Sequence, residues 1–130
     1  MSVNEIKCKA FSDAYKRLAE AVAQEKEPGI IGDLIRDGII QRFEFTLEMA
    51  WKFLRVVLLD KGIMREDVAS PRKVVRSAFA NGLIKDGDVW LEMLRYRNTI
   101  LRVYNEQEAV ELEHKIKTIY IVELRQACLN

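Results

Sequence analysis

A chain of 130 residues, 49% hydrophobic and 32% charged, is long enough for one proper core, and a single helical-bundle domain over residues 1–130 is expected. Twenty-one Lys and Arg against twenty Asp and Glu leave a net charge of +1, so no global basic field drives nucleic-acid binding and any such function must be local. Two Pro and six Gly suit a helix-rich soluble protein better than a turn-filled sandwich or a disordered chain.

The N-terminus, Met1-Ser2-Val3-Asn4-Glu5-Ile6-Lys7, lacks the apolar core of a signal peptide, and no run approaches the roughly 20 apolar residues of a membrane span. Cys8 and Cys128 sit near the two ends, outside any CxxC pair or His cluster. The expectations are a reduced cytoplasmic setting, no membrane, no metal and no cofactor.

Residues 4 to about 26 read as a first helix, with Phe11, Ala14, Tyr15, Leu18, Ala21 and Val22 at helical spacing. Pro28-Gly29 ends it, and Gly32 is expected in a short flexible link. A long helix follows from Asp33 to about Lys61, its apolar face marked by Ile39, Phe43, Leu47, Ala50, Leu54, Val57 and Leu58. Glu44, Glu48 and Lys52 form an i, i+4 ladder on another side. Phe45, Trp51 and Phe53 widen the apolar surface enough for a second partner, such as another copy of the chain. Gly62 stands where a C-terminal cap would.

Ser70-Pro71 starts a short helix, Ser as N-cap and Pro at the first helical position, with Val74, Val75, Ala78 and Phe79 expected inward and Asn81-Gly82 closing it. Residues 70–85 carry Arg72, Lys73, Arg76 and Lys85 and no acid. They read as a solvated surface or as a small anion site at a helix N-terminus. Asp86-Gly87-Asp88 caps a further helix running to about Leu101. Asn105-Glu106-Gln107-Glu108 has the form of a capping box. It opens a last helix to about Ala127, with Ala109, Leu112, Ile116, Ile119, Tyr120 and Leu124 inward and Glu113 among the outward charges. The fold class is all-α: an antiparallel up-and-down four-helix bundle with one additional short helix.

Candidate chemistry is narrow. No Gly-rich phosphate loop is present. The sole histidine, His114, falls off the apolar face of its helix and offers no partner to a Ser or Cys nucleophile. The carboxylates Glu44 and Glu48 lack the Glu-x-x-His companions of a di-metal bundle. Arginines remain. Trp90, Leu94, Leu101 and Tyr104 share one helical stripe, and Arg97 interrupts it; Arg95, Asn98 and Arg102 lie on a flank. A guanidinium so placed needs a partner. Arg97 and Arg102 could hold a phosphate, with Tyr104 stacking on a base, or Arg97 could be paired with Glu44 or Glu48 of the long helix.

Gln41-Arg42-Phe43-Glu44-Phe45-Thr46-Leu47-Glu48-Met49-Ala50-Trp51-Lys52 resembles the signature of the nucleotidyltransferase substrate-binding subunits, within the HEPN superfamily. So do Ser70-Pro71-Arg72, Ala78-Phe79-x-x-Gly82-Leu83-Ile84 and Trp90-x-x-Met93-Leu94-x-x-Arg97-Asn98, in the same order over residues 33–125. The resemblance implies a homodimeric helical bundle that partners a minimal nucleotidyltransferase (MNT), with a nucleotide or RNA as ligand. It also implies a place in toxin–antitoxin-like modules, in which the HEPN chain cleaves RNA without metal and is silenced by AMP transfer to a tyrosine, here Tyr104. The ribonuclease motif of that family is Arg, four residues, His, one residue, Tyr. Arg97 and Tyr104 match it, but Arg102 stands at the histidine position. Histidine moves protons near neutrality, whereas arginine stays protonated and only grips phosphate. The expectation is therefore a non-catalytic binding subunit with Arg97, Asn98, Arg102, Tyr104, Arg72 and Arg76 as phosphate and substrate contacts.

Overall fold

The structure, a computed structural model, describes residues 2–102 and 105–129, and the side chains of these other than 98–102. Six α-helices account for most of it: α1 (Val3–Val22), α2 (Gly29–Asp60), α3 (Pro71–Ala80), α4 (Gly87–Arg102), α5 (Glu106–Lys115) and α6 (Ile121–Leu129). A 3-10 turn, Arg65–Val68, precedes α3, and a π-helical segment, Ile116–Tyr120, joins α5 to α6 without a break. The last two helices and this segment form one wall, so the molecule is an antiparallel up-and-down bundle of α1, α2, α4 and α5–α6, with α3 as the short extra helix. Among the described residues no helix is long and apolar enough to cross a membrane.

α2 is the axis because its central and C-terminal apolar residues are buried against several neighbouring helices. Ile39, Phe43, Leu47, Ala50, Leu54 and Leu58 are buried, and Ile40 and Phe53 add to them on neighbouring faces. Phe11 of α1 meets Phe53 with ring centroids 6.0 Å apart, and Phe43 stacks on Tyr120 at 5.5 Å. Polar ties fix the register between helices. Thr46 donates its hydroxyl to the Ala14 and Arg42 carbonyls, at 3.1 and 2.6 Å. Arg55 Nε reaches the Val68 carbonyl at 3.1 Å and pins the 3-10 turn to α2.

Three helix starts follow ordinary capping chemistry. Ser2 Oγ accepts from Glu5 N, Ser70 Oγ accepts from Lys73 N, and Asn105 Oδ1 accepts from Gln107 N and Glu108 N.

Four expectations are corrected. The first helix ends at Val22, and the second begins at Gly29, so Gly32 lies within α2 rather than in a link. A Cβ on Gly32 would collide with the Glu27 carbonyl oxygen, because the approaching loop folds back onto the first turn of α2. Phe79 points outward, 54% exposed, while Val74, Val75 and Ala78 bury the inner face of α3. Ile119 is exposed, because the wider π-helical segment shifts the periodicity so that Ile116, Tyr120 and Leu124 share the inner face. Glu113, expected outside, is buried: Arg36 of α2 pairs with it at 3.3 Å, and Lys117 approaches it at 3.3 Å.

Candidate functional site

The inner half of α2 presents Gly38, Gln41, Phe45 and Glu48 at intervals of three and four residues, which places them on one face of the helix. Glu44 borders the same stripe. α1 brings Arg17 to one side of this face, and α4 brings Arg97 to the other. Together with Arg42 these residues line an open groove of about 710 Å³. The space over Gly38 is empty enough that a Cβ there would meet nothing within 4 Å.

Arg97 is held from below. Its Nη2 lies 2.9 Å from Glu48 Oε2, and both side chains keep about a quarter of their surface open, 27% and 25%. Glu48 also accepts from Trp51 Nε1 at 3.2 Å and pairs with Lys52 at 3.4 Å. A guanidinium carries five donors in a planar fork, so one contact with Glu48 orients Arg97 and leaves donors facing the groove. Arg97 thus makes the ion pair with the long helix considered for it and also lines the groove.

The other charges are arranged differently. Arg42 donates from Nη1 to the Arg17 carbonyl at 2.7 Å, which locks α2 against α1. No described residue pairs with the guanidinium of exposed Arg17. Glu44 is half-buried. Burial pushes its carboxyl above the usual glutamate range, and the positive charge of Arg97 partly opposes that rise. No described donor hydrogen-bonds to it. Phe45, beside it in sequence, leaves 55% of its surface to solvent.

A second polar cluster lies between α4 and the α5 wall. Glu92 accepts from the Tyr120 hydroxyl and pairs with Lys115 at 2.9 Å. Those hydrogen bonds hold the Glu92 carboxyl below its ordinary value; burial and Glu92 push the Tyr120 hydroxyl far above its own. Lys115 lies 5.0 Å above the Tyr96 ring, and Tyr96 donates to Glu111 at 2.9 Å. Every member already has a partner, so the cluster reads as a clasp between helices.

Arg72 and Arg76 are not brought to Arg97. Arg76 lines a hollow with Phe79, Lys85, Asp86 and Asp88; Arg72 lines a neighbouring one with Asp86, Asp88 and Glu92. Acidic residues share both hollows, and the Ser70 cap already uses the Lys73 amide at the start of α3. The side chains of Asn98 and Arg102, and the whole of Tyr104, lie outside the described residues.

Sequence reasoning missed Arg17 and Arg42 as groove residues. The stripe through Gly38, Gln41, Phe45 and Glu48 was available at helical spacing, but nothing in the sequence signals which neighbour supplies Arg17.

Fold and groove together define a helical bundle with a charged cleft between its long axial helix and two of its neighbours. The chain belongs to the nucleotidyltransferase substrate binding protein-like family, whose sequence profile matches residues 6–129. It is similar to the probable ribonuclease HepT of Haemophilus influenzae, 25% identical over 130 residues that cover 93% of this chain and 89% of that one. A crystal structure from Thermus thermophilus superposes with a TM-score of 0.71 at 30% identity, covering 90% of this chain and 94% of that one. A Haemophilus influenzae structure, reported as the fold of a substrate binding domain of a nucleotidyltransferase, superposes with a TM-score of 0.83. At 24% identity, and with 94% and 96% of the two chains covered, that second likeness speaks for the fold.

Proposed function

We propose that this chain is a non-catalytic substrate-binding subunit that pairs with a small nucleotidyltransferase and holds phosphate in the groove at Arg97. The observation that carries the reading is a half-open Arg97, oriented by Glu48 and facing a groove that also receives Arg17. Two guanidinium groups on opposite walls suit a nucleotide or an RNA strand, whose charge they meet with bidentate donors. Asn98 and Arg102, later on α4, and Tyr104 beyond it extend this site in the proposal, with Arg102 gripping phosphate where the family motif has its proton-moving histidine. Arg72 and Arg76 would form a secondary basic contact.

The chain acts as a homodimer in the cytoplasm in this reading. Ile30, Ile31 and Leu34 support a self-contact, since they leave 73%, 55% and 60% of their surfaces exposed on the first turns of α2. Co-expression with a minimal nucleotidyltransferase tests the partnership, and a stable complex is expected on size-exclusion chromatography. Labelled RNA hexamers test the site: Arg97→Ala should weaken binding about tenfold. Unchanged affinity in that variant would remove Arg97 from the site.

A second reading, favoured by the similarity to a probable ribonuclease, is a metal-independent RNase toxin of the HEPN type, silenced by AMP transfer to Tyr104. Purified chain that cleaves RNA in the presence of a chelator, with loss of cleavage in Arg97→Ala, would establish it. Cleavage that appears only in Arg102→His would instead favour the non-catalytic subunit, as would a mass shift of one AMP on Tyr104 in a chain that cleaves no RNA before AMP is added.

A further inference from the structure

Glu44 is an uncommon group to find in a phosphate-binding groove. A carboxylate repels phosphate, and this one has lost part of its hydration without gaining a hydrogen-bond donor among the described residues. Glu48, one turn further along α2, has three such partners: Arg97, Lys52 and Trp51. The two carboxylates therefore differ in kind. Glu48 is committed to holding Arg97, and Glu44 is left with open acceptor positions beside an exposed aromatic ring.

The surroundings of Glu44 narrow what could occupy it. Phe45 presents a flat apolar face, Gly38 leaves clear space on the floor, and Arg97 and Arg17 stand to either side. A fitting ligand needs an aromatic face, N–H donors at its edge and an attached anion. Nucleotides have all three. Among the bases, the Watson–Crick edge of guanine alone offers two adjacent donors, N1–H and the N2 amino group, to the two oxygens of one carboxylate. Adenine and cytosine offer one amino group beside an acceptor, and uracil offers one N–H between two carbonyls; each would set a lone pair against Glu44.

We infer that the groove is a guanine subsite, in which Phe45 stacks on the base, Glu44 accepts from its N1–H and N2 amino group, and Arg97 and Arg17 meet the flanking phosphates. The inference rests on the phosphate-binding reading of Arg97 and adds the base to it. The guanine could belong to a free nucleotide or to an RNA strand, which share this chemistry.

Fluorescence anisotropy on the full chain, with labelled uridine hexamers carrying one central G or one central A, separates the possibilities. The G hexamer should bind about tenfold more tightly than the A hexamer. Unlabelled GMP that displaces it, where AMP does not, identifies a free nucleotide as sufficient; displacement only by G-containing strands identifies RNA. Glu44→Gln should reduce the preference to about twofold and raise affinity for the A hexamer, because a negative charge has left the groove. Phe45→Ala should weaken both hexamers, and a circular dichroism melt confirms that each variant is folded. Equal binding of the two hexamers, with Arg97→Ala weakening both, would overturn the guanine subsite and leave phosphate binding standing. A G preference that stays at about tenfold in folded Glu44→Gln would overturn it too. Absence of binding by every hexamer and by GMP would remove both readings.

Discussion

Glu48 engages three neighbours at once: the Arg97 guanidinium, the Lys52 ammonium one turn along α2, and the Trp51 indole N–H. Such a hub balances two effects of opposite sign. It stabilises the bundle by neutralising a half-buried arginine, and it competes with any anionic ligand for that arginine. Glu48→Gln keeps the shape and removes the charge. Stability should fall by about 1 kcal/mol, near the top of the range for partly exposed pairs. Affinity for an RNA hexamer should rise a few-fold (~1 kcal/mol or less), as Arg97 loses a competing anion. Urea unfolding and anisotropy check the two halves, and the opposite signs are the content of the prediction.

The elements were legible where periodicity and capping agreed. Ser70-Pro71 opens α3, Asn105 opens α5, and the stripe through Ile39, Phe43, Leu47 and Leu54 is the buried side of α2. What escaped was tertiary. Glu113 reads as a surface charge on its own helix, and only the approach of Arg36, 77 residues away in sequence, makes it interior. Ile119 reads as core until the π-helical segment turns it out. The groove was half legible: Glu48 and Arg97 were marked by spacing, whereas Arg17 arrives through helix packing that no local pattern encodes. Gly32 is the sharpest case, since two local rules disagree there. Helix propensity says that Gly32→Ala should gain about 1 kcal/mol. The collision with the Glu27 carbonyl says that it should lose, and backbone has less room to yield than a side chain. A loss of about 1 kcal/mol or more in thermal unfolding is expected.

For the molecule as a whole, three glutamates set opposing responses to acid. Burial lifts the carboxyl of Glu123 above the ordinary 4.5, with Asp86 adding to the rise and Lys85 opposing it, and burial likewise lifts Glu44. Each of these subtracts stability while ionised, and the loss is relieved as pH falls from neutrality through its raised value. Glu92 works the other way. Its carboxyl is held below 4.5 by Tyr120 and Lys115, so its contribution is full above 4.5 and disappears as pH drops through its lowered value. Stability should therefore be greater on the acid side of neutrality than near the isoelectric point, until protonation of Glu92 reverses the trend. Urea midpoints measured across pH should show the rise and then the collapse. Glu123→Gln should flatten the rise and increase the urea midpoint at pH 7.

The two tryptophans divide the molecule into an interior and a working face. Trp90 is fully buried in the core, while Trp51 is partly exposed and one hydrogen bond away from the carboxylate that steers Arg97. Their emission should separate accordingly, Trp90 bluer and shielded from acrylamide, Trp51 redder and quenchable. In a Trp90→Phe background the remaining signal reports on Glu48 alone. An anion that draws Arg97 away from Glu48 should shift that emission, and the same titration in Arg97→Ala should leave it flat. The chain thus carries its own optical probe of groove occupancy, with no label attached.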